Sequence, residues 1–214
     1  MVLNLLEDID ITYDRNLDDP RFPVQHVIRP QTDEFHDYRG YAGRIAGGWF
    51  HPGDEVTVLP SGLSSKITSV DVYGKSIEGA KVTESVTLRL EDDIDISRGN
   101  MIVGRENQPQ TSQDVDLMIC WFNERPLVPN GKYAVKHTTR DVRCIIKGVS
   151  YKMDINSLEK NTADKEIKMN DIGRIQIKTT MPLHYDSYKR NRITGSLILI
   201  DEATNETVAA GMII

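Results

Sequence analysis

The 214-residue sequence has only two cysteines and lacks any apolar run close to the roughly 20 residues that a membrane-spanning helix needs. The cysteines, Cys120 and Cys144, form no Cys-x-x-Cys pair, which favours two reduced thiols over a disulfide or a metal site. The N-terminus also lacks the basic flank and the apolar core of a signal peptide. We therefore expect a soluble, cytoplasmic chain that does not contact a membrane.

Motifs for nucleotides and metals are missing as well. A phosphate-binding loop follows Gly-x-x-x-x-Gly-Lys-Ser/Thr, but the chain offers only Gly74-Lys75-Ser76, with Ser69 in place of the first glycine. The acidic run Glu91–Asp95 fails the register of a calcium loop, because the twelfth position counted from Asp92 is Val103. No i, i+4 spacing typical of zinc sites relates the five histidines, which are His26, His36, His51, His137 and His184. We expect no catalytic residue, cofactor or metal in this chain.

Charge and composition narrow the possible partners and the possible fold classes. The formal net charge is −6, which argues against a nucleic-acid partner, because phosphate binding requires clustered lysine and arginine. Valine, isoleucine and threonine are frequent while long helical periodicity is nearly absent, and this favours an all-β fold. A chain of this length has room for two hydrophobic cores, so we expect two domains.

Residues 38–60 are the stretch around which the rest of the chain can be placed. Gly47-Gly48 can supply positive φ and Pro52-Gly53 can form a turn, so the chain reverses before a strand at Glu55–Leu59. Glycines inside strands mark the bends of a small closed barrel. The predicted strands of this first barrel are Val24–Arg29, Asp37–Ala46, Glu55–Leu59, Ser65–Tyr73, Ser85–Leu90 and Met101–Val103.

A second barrel is predicted after residues 104–113, which carry no large hydrophobic side chain and indicate a boundary. Residues 152–170 are predicted to form a loop or a short helical turn, with Leu158 facing inward. Near the N-terminus, residues 3–11 are predicted to form one or two helical turns, and residues 12–20 a linker. The predicted strands of the second barrel are Asp114–Phe122, Lys132–Lys136, Arg140–Tyr151, Ile172–Thr179, Arg192–Ile200 and Thr207–Ile214.

Several stretches carry a resemblance to a known family. Gly43-Arg-Ile-Ala-Gly-Gly48, followed by His51-Pro-Gly-Asp-Glu-Val56, is similar to the second domain of translational GTPases such as elongation factor Tu. Arg21–Pro30 and Tyr188–Asp201 make the chain resemble the large, GTPase subunit of bacterial sulfate adenylyltransferase (ATP sulfurylase). The run Asn191-Arg-Ile-Thr-Gly-Ser196 is the most family-specific part of this resemblance, which extends over nearly the whole chain.

The resemblance implies two tandem small β-barrels of the elongation-factor Tu domain 2 and domain 3 type. Residues 1–20 would be the tail of a GTPase domain and a linker, residues 21–106 the first barrel and residues 107–214 the second, without the GTPase domain itself. It also implies a parent enzyme that makes adenosine 5′-phosphosulfate from ATP and sulfate and uses GTP and Mg²⁺. We expect the two barrels to be inactive alone and to contact the parent's GTPase domain and a small catalytic subunit.

The clearest candidate for a partner or interdomain surface is the segment Leu183–Arg192, where arginines and tyrosines are close together in the sequence. Arginine can pair with carboxylates or phosphates through two hydrogen bonds, and tyrosine supplies rigid contact area. The alternative is internal bracing, in which Asp186 pairs with Arg190 or Arg192. A similar question concerns Arg39, which could face the GTPase domain. The candidate residues are Tyr38, Arg39, Tyr41, Tyr185, Asp186, Tyr188, Arg190 and Arg192.

Two other functions fit parts of the sequence. A fragment of a translation elongation factor would bind tRNA or the ribosome, but the acidic balance and the run Asn191–Gly195 speak against it. A self-contained binding domain would need an internal cavity for a small ligand, whereas barrels of this size are commonly filled by their own side chains.

Overall fold

The computed structural model describes residues 15–30 and 38–214, and within these ranges the chain forms strands and turns but no helix. Accordingly, these residues include no helix that is long and apolar enough to cross a membrane. The helical turns predicted for residues 3–11 lie outside the described residues. The all-β prediction is confirmed.

The first barrel is a closed ring of six antiparallel strands with short strands added to it. The ring runs in the order β4-β9-β1-β2-β8-β5 and closes because β4 also pairs with β5. The strands are β1 (Arg21–Ile28), β2 (Gly40–Arg44), β3 (Trp49–Phe50), β4 (Glu55–Leu59), β5 (Leu63–Val72), β6 (Lys75–Ile77), β7 (Ala80–Lys81), β8 (Ser85–Leu90) and β9 (Met101–Gly104).

The second barrel closes in the same way. Its ring runs in the order β11-β15-β16-β10-β14-β12, and β12 pairs back with β11. The strands are β10 (Gln110–Trp121), β11 (Lys132–His137), β12 (Arg140–Met153), β13 (Lys160–Asn161), β14 (Ile172–Tyr185), β15 (Ser196–Ile200) and β16 (Thr207–Ile213).

Each barrel is filled by its own alternating side chains. In β8, Val86 and Leu88 are buried while Arg89 is exposed, as the two-residue period of a strand requires. Along β10, Val115, Leu117 and Ile119 enter the core of the second barrel. Burying each such side chain stabilises the fold by about 1.5–3 kcal/mol. The two cores are separate clusters, so each barrel has its own hydrophobic centre.

Several predicted bounds were wrong for identifiable reasons. Tyr73 is not in a strand: it has a φ of 50° and forms the turn of the β5–β6 hairpin with Gly74. Leu158 was predicted to face inward, but its side chain is 75% exposed and its φ is 60°. Its place in the core is taken by Ile167, which is fully buried and whose carbonyl accepts a hydrogen bond from the N–H of Leu127.

Strands also extend into segments that were predicted to be loops. β10 begins at Gln110, inside the stretch 104–113, because Gln110, Thr111 and Ser112 pair with the end of β14. Backbone pairing therefore holds a strand whose side chains are polar. The reverse holds at Arg192–Gly195, which was predicted to be strand and forms a turn, since β15 starts only at Ser196.

Candidate functional site

The two barrels meet at a buried ion pair between Arg21, the first residue of β1, and Asp186, the residue after β14. Arg21 Nε lies 3.0 Å from Asp186 Oδ2, and Arg21 Nη2 lies 3.0 Å from Asp186 Oδ1. Arg21 is fully buried and Asp186 is only 5% exposed. This two-pronged geometry suits a planar guanidinium and a carboxylate, and it restrains the two barrels at this contact.

The remaining polar groups of this pair are also satisfied. Arg21 Nη1 donates to the carbonyl oxygens of Pro20 at 3.0 Å and Asn107 at 2.7 Å. Thr194 Oγ1 donates to Asp186 Oδ2 at 2.7 Å. A buried charge pair is stable only when such extra hydrogen bonds replace the lost water, and here they do.

A second ion pair lies beside the first. Asp19 is fully buried, and its carboxylate accepts hydrogen bonds from Arg190 Nε at 2.6 Å and Arg190 Nη2 at 2.8 Å. Asn16 Nδ2 donates to the same carboxylate at 2.6 Å, and Asn107 Nδ2 donates to its other oxygen. Together with the Arg21–Asp186 pair, two arginines and two aspartates form a cluster with no net charge.

The turn Asn191–Gly195 completes this contact between the barrels. Asn191 is buried; its Nδ2 donates to the carbonyl of Ala46 in the first barrel at 3.0 Å. Its Oδ1 accepts from the backbone N–H of Ile193 and of Thr194, which closes the turn. A Cβ added at Gly195 would lie 2.4 Å from backbone atoms of Tyr188, so only glycine fits there.

We call this group of residues the junction: Asn16, Asp19, Arg21, Ala46, Asn107, Asp186, Arg190, Asn191 and Thr194. The junction joins two of the stretches that carry the family resemblance, because Asn191 of the Asn191–Ser196 run bonds the carbonyl of Ala46 in the Gly43–Gly48 run. A Cβ at Gly47 would lie 2.6 Å from the carbonyl oxygen of Asp19, which explains why a glycine stands there. The motif residues therefore serve the contact between the barrels.

The contacts at the junction favour the charged forms of Asp19 and Arg190. The hydrogen bonds from Arg190 hold the pKa of Asp19 well below its ordinary value of 3.8, although burial acts in the opposite direction. The same contact raises the pKa of Arg190. Among the described residues, no group of histidine, cysteine and carboxylate side chains is arranged to hold a metal ion.

Two buried histidines lie near the junction in the second barrel. A ring nitrogen of His137, Nε2, is 2.7 Å from the carbonyl oxygen of Thr194, and burial lowers the pKa of this imidazole. His184 Nδ1 is 2.9 Å from Thr111 Oγ1. Burial, followed by the charges of Arg140 and His137, lowers the pKa of His184 to about 4. Both rings are therefore neutral at pH 7.

The sequence-predicted residues separate into two groups. Asp186 and Arg190 lie in the junction; Asp186 pairs with Arg21 instead of with Arg190 or Arg192, which corrects that predicted pairing. Tyr185 is buried at the end of β14, where burial raises its pKa. Tyr188 and Arg192 lie outside the barrel, with the guanidinium carbon 5.9 Å from the centre of the tyrosine ring.

The other candidates, Tyr38, Arg39 and Tyr41, lie together at one end of the first barrel. Tyr41 is buried and donates to the carbonyl of Ile94 at 3.0 Å. Arg39 donates to the same carbonyl at 3.0 Å and pairs with Asp93. The guanidinium carbon of Arg89 stands 5.0 Å from the centre of the Tyr38 ring. These contacts are internal to the first barrel.

Sequence reasoning missed Asp19, Arg21 and Asn107 as functional residues. Two signals pointed to Arg21: it opens the stretch Arg21–Pro30 that carries part of the resemblance, and it is a charged residue directly before the apolar run Phe22-Pro-Val24. Their partners are far away in the sequence: Arg21 is 165 positions from Asp186, and Asp19 is 171 positions from Arg190. No local pattern reports pairing over such separations.

Comparison with known proteins confirms the resemblance. A family model described as GTP-eEF1A C-terminal domain-like matches residues 114–214. The bifunctional enzyme CysN/CysC of Mycobacterium tuberculosis is 47% identical over 214 residues, which is 100% of this chain and 35% of that protein. Sulfate adenylyltransferase subunit 1 of Alteromonas mediterranea is 45% identical over 213 residues, which is 100% of this chain and 44% of that protein. The chain thus spans less than half the length of these relatives.

The fold is shared with a translation factor. The structure of translation elongation factor SelB from Methanococcus maripaludis, in its apo form, matches 100% of this chain and 45% of that protein with a TM-score of 0.74. Sequence identity in this match is only 18%, so the match establishes the two-barrel architecture and nothing about binding.

Proposed function

We propose that the chain is the two-barrel region of the GTP-hydrolysing large subunit of a sulfate adenylyltransferase. The sequence similarity to subunit 1 of that enzyme over the whole chain supports this proposal. The structural observation that carries it is the junction, where Asn191 of the run that resembles this family bonds Ala46 of the first barrel and Thr194 of the same run bonds Asp186. The parent complex makes adenosine 5′-phosphosulfate and pyrophosphate from ATP and sulfate.

In this role the two barrels move together as one rigid body. GTP and Mg²⁺ belong to the GTPase domain of the parent, and adenylyl transfer belongs to the small subunit, so the barrels transmit movement between them. Transmission requires an element with few internal degrees of freedom, and the two buried ion pairs provide that restraint. The coupling free energy between two sites in a protein is commonly about 1–3 kcal/mol. Barrels that moved independently of each other would not transmit it.

The proposal is tested with the full-length large subunit and the small subunit from the same source. We expect the wild-type pair to synthesise adenosine 5′-phosphosulfate faster when GTP is present. Asp186→Asn should keep the rate of GTP hydrolysis but lose most of the GTP-dependent stimulation, while Asp141→Asn, an exposed aspartate, should behave like wild type. Absence of adenosine 5′-phosphosulfate synthesis by the wild-type pair, or salt-sensitive tRNA binding by the chain, would contradict the proposal.

A further inference from the structure

An open groove lies at one end of the second barrel, away from the junction. Its volume is about 820 Å³, and it is lined by the β10–β11 segment, by Met169 before β14, and by the β15–β16 loop with the start of β16. Three apolar side chains in this groove face solvent: Phe122 is 44% exposed, Val128 is 56% exposed and Met169 is 49% exposed. Large exposed apolar side chains that gather in one concave place mark an interaction site more often than isolated ones do.

The floor of the groove is held firmly. Trp121 is buried, donates from Nε1 to the carbonyl of Arg125 at 2.8 Å and packs edge-on against Tyr133, with the ring centres 5.8 Å apart. The backbone N–H of Phe122 donates to the carbonyl of Val208 at 2.8 Å. These bonds fix the backbone that presents the apolar side chains, so a partner would not have to order it on binding.

The groove also has a net negative charge. Glu124, Asp201 and Glu206 line it, and Arg125 is the only cationic residue among its described lining residues. Asp201 accepts the backbone N–H of Ala203, and Glu206 accepts Asn123 Nδ2 at 3.2 Å, so two carboxylates are held in place. Glu124 is exposed and forms no ion pair among the described residues. An apolar floor with an acidic rim is complementary to an apolar side chain flanked by cations.

We infer that this groove docks a segment of the small subunit in which an aliphatic side chain stands next to lysine or arginine. The inference rests on the proposed function for the identity of the partner, and on the charge of the groove for the chemistry of the segment. The aliphatic side chain covers Phe122, Val128 and Met169, and its cationic neighbour meets Glu124 at the rim. This places partner docking on the far end of the second barrel, whereas Asp186 and Arg190 of the Leu183–Arg192 segment belong to the junction.

The test is calorimetric titration of the full-length large subunit with the small subunit. Phe122→Ser and Glu124→Lys should each weaken binding by about tenfold or more, since truncating an anchor residue of an interface commonly has an effect of this size. Leu158→Ser is the control: it removes an apolar side chain that is even more exposed than Phe122 from another loop, and it should leave the affinity within about twofold. Circular dichroism verifies that each variant is folded.

A second probe does not depend on the small subunit. Leucine–lysine and leucine–glutamate peptides of equal length are titrated into the 214-residue chain and followed by amide shifts in NMR spectra. The lysine peptide should shift the amides of Phe122, Val128 and Met169, and the glutamate peptide should not. Equal binding of all variants to the small subunit overturns the inference and leaves the proposed function intact. If the wild-type subunits do not bind each other but the lysine peptide still shifts the groove amides, only the proposed partner is wrong. If neither peptide shifts an amide of the groove, the groove is not a docking site.

Discussion

Arg21 and Asp186 lie 165 positions apart in the chain and yet form a buried ion pair with two hydrogen bonds of 3.0 Å each. One residue opens the first strand of the first barrel, and the other follows the long strand β14 of the second. Since both are shielded from solvent, their attraction is weakened little by salt. The relative position of the barrels is therefore fixed by charge geometry as well as by shape.

Asp186→Asn should destabilise the chain strongly. The variant leaves the Arg21 guanidinium buried without its counter-charge, and breaking a buried pair from one side costs about 3–5 kcal/mol. Urea denaturation measures the change in the free energy of unfolding. Asp141→Asn, on an exposed part of β12, should change it by less than about 0.5 kcal/mol. A loss below about 1 kcal/mol for Asp186→Asn would mean that the pair contributes little restraint.

Arg190→Ala should weaken the acid sensitivity that Asp19 gives to the fold. Because Arg190 holds the pKa of Asp19 below 3.8, this carboxylate stabilises the native state above about pH 4, and the stabilisation is lost as the pH falls further. The variant should therefore differ from wild type most at pH 7 and least near pH 2.5. Urea midpoints at both pH values test this, with Lys189→Ala as the neighbouring control. An equal difference at both pH values would contradict the assignment.

His184 should make the chain less stable in mild acid. Its pKa is lowered to about 4 in the folded chain from an ordinary value of 6.5, so the unfolded chain binds the extra proton first. Stability should be full above about pH 6.5 and fall as the pH drops toward 4. His184→Asn, which keeps an acceptor for Thr111, should flatten this part of the profile. His26→Gln, at an exposed position, is the control substitution.

Gly195→Ala should be costly, and Gly148→Ala should be harmless. A Cβ at Gly195 would come within 2.4 Å of the backbone of Tyr188, which cannot move without disturbing the turn of the junction. The same addition at Gly148 meets nothing within 4 Å. We expect a loss of about 2 kcal/mol or more for Gly195→Ala, and a change between zero and a gain of about 1 kcal/mol for Gly148→Ala. Thermal unfolding of the two variants side by side measures the contrast.

Much of the fold was predictable from local patterns. Alternation in Val86–Leu90 and the turn at Pro52-Gly53 reflect chemistry within a few residues, and the predicted strands there match β8 and the start of β4. Polar strand ends such as Gln110–Ser112 were not predictable, because their partners on β14 define them. Leu158 shows the same limit, since a hydrophobic residue is not obliged to be buried.

Only part of the junction could be predicted from the sequence. Asp186 and Arg190 stood out because charged and aromatic residues crowd around them, and an internal network was one of the two interpretations. Their partners, Arg21 and Asp19, are supplied by the other end of the chain, and only the closed topology of both barrels brings them together. The groove at Phe122 was invisible for a similar reason, because loops from three parts of the second barrel build it.

The measurement that tests the central claim most directly is equilibrium unfolding with one tryptophan in each barrel. Trp49 lies in the first barrel and Trp121 in the second, and the sequence has no other tryptophan. Trp121→Phe leaves the first reporter, and Trp49→Phe leaves the second. If the junction makes the barrels one unit, each single-tryptophan chain should give one transition that coincides with its circular-dichroism transition, and adding Asp186→Asn should separate the two signals. Separate transitions for the two barrels with the junction intact would contradict the claim that the barrels form one rigid body.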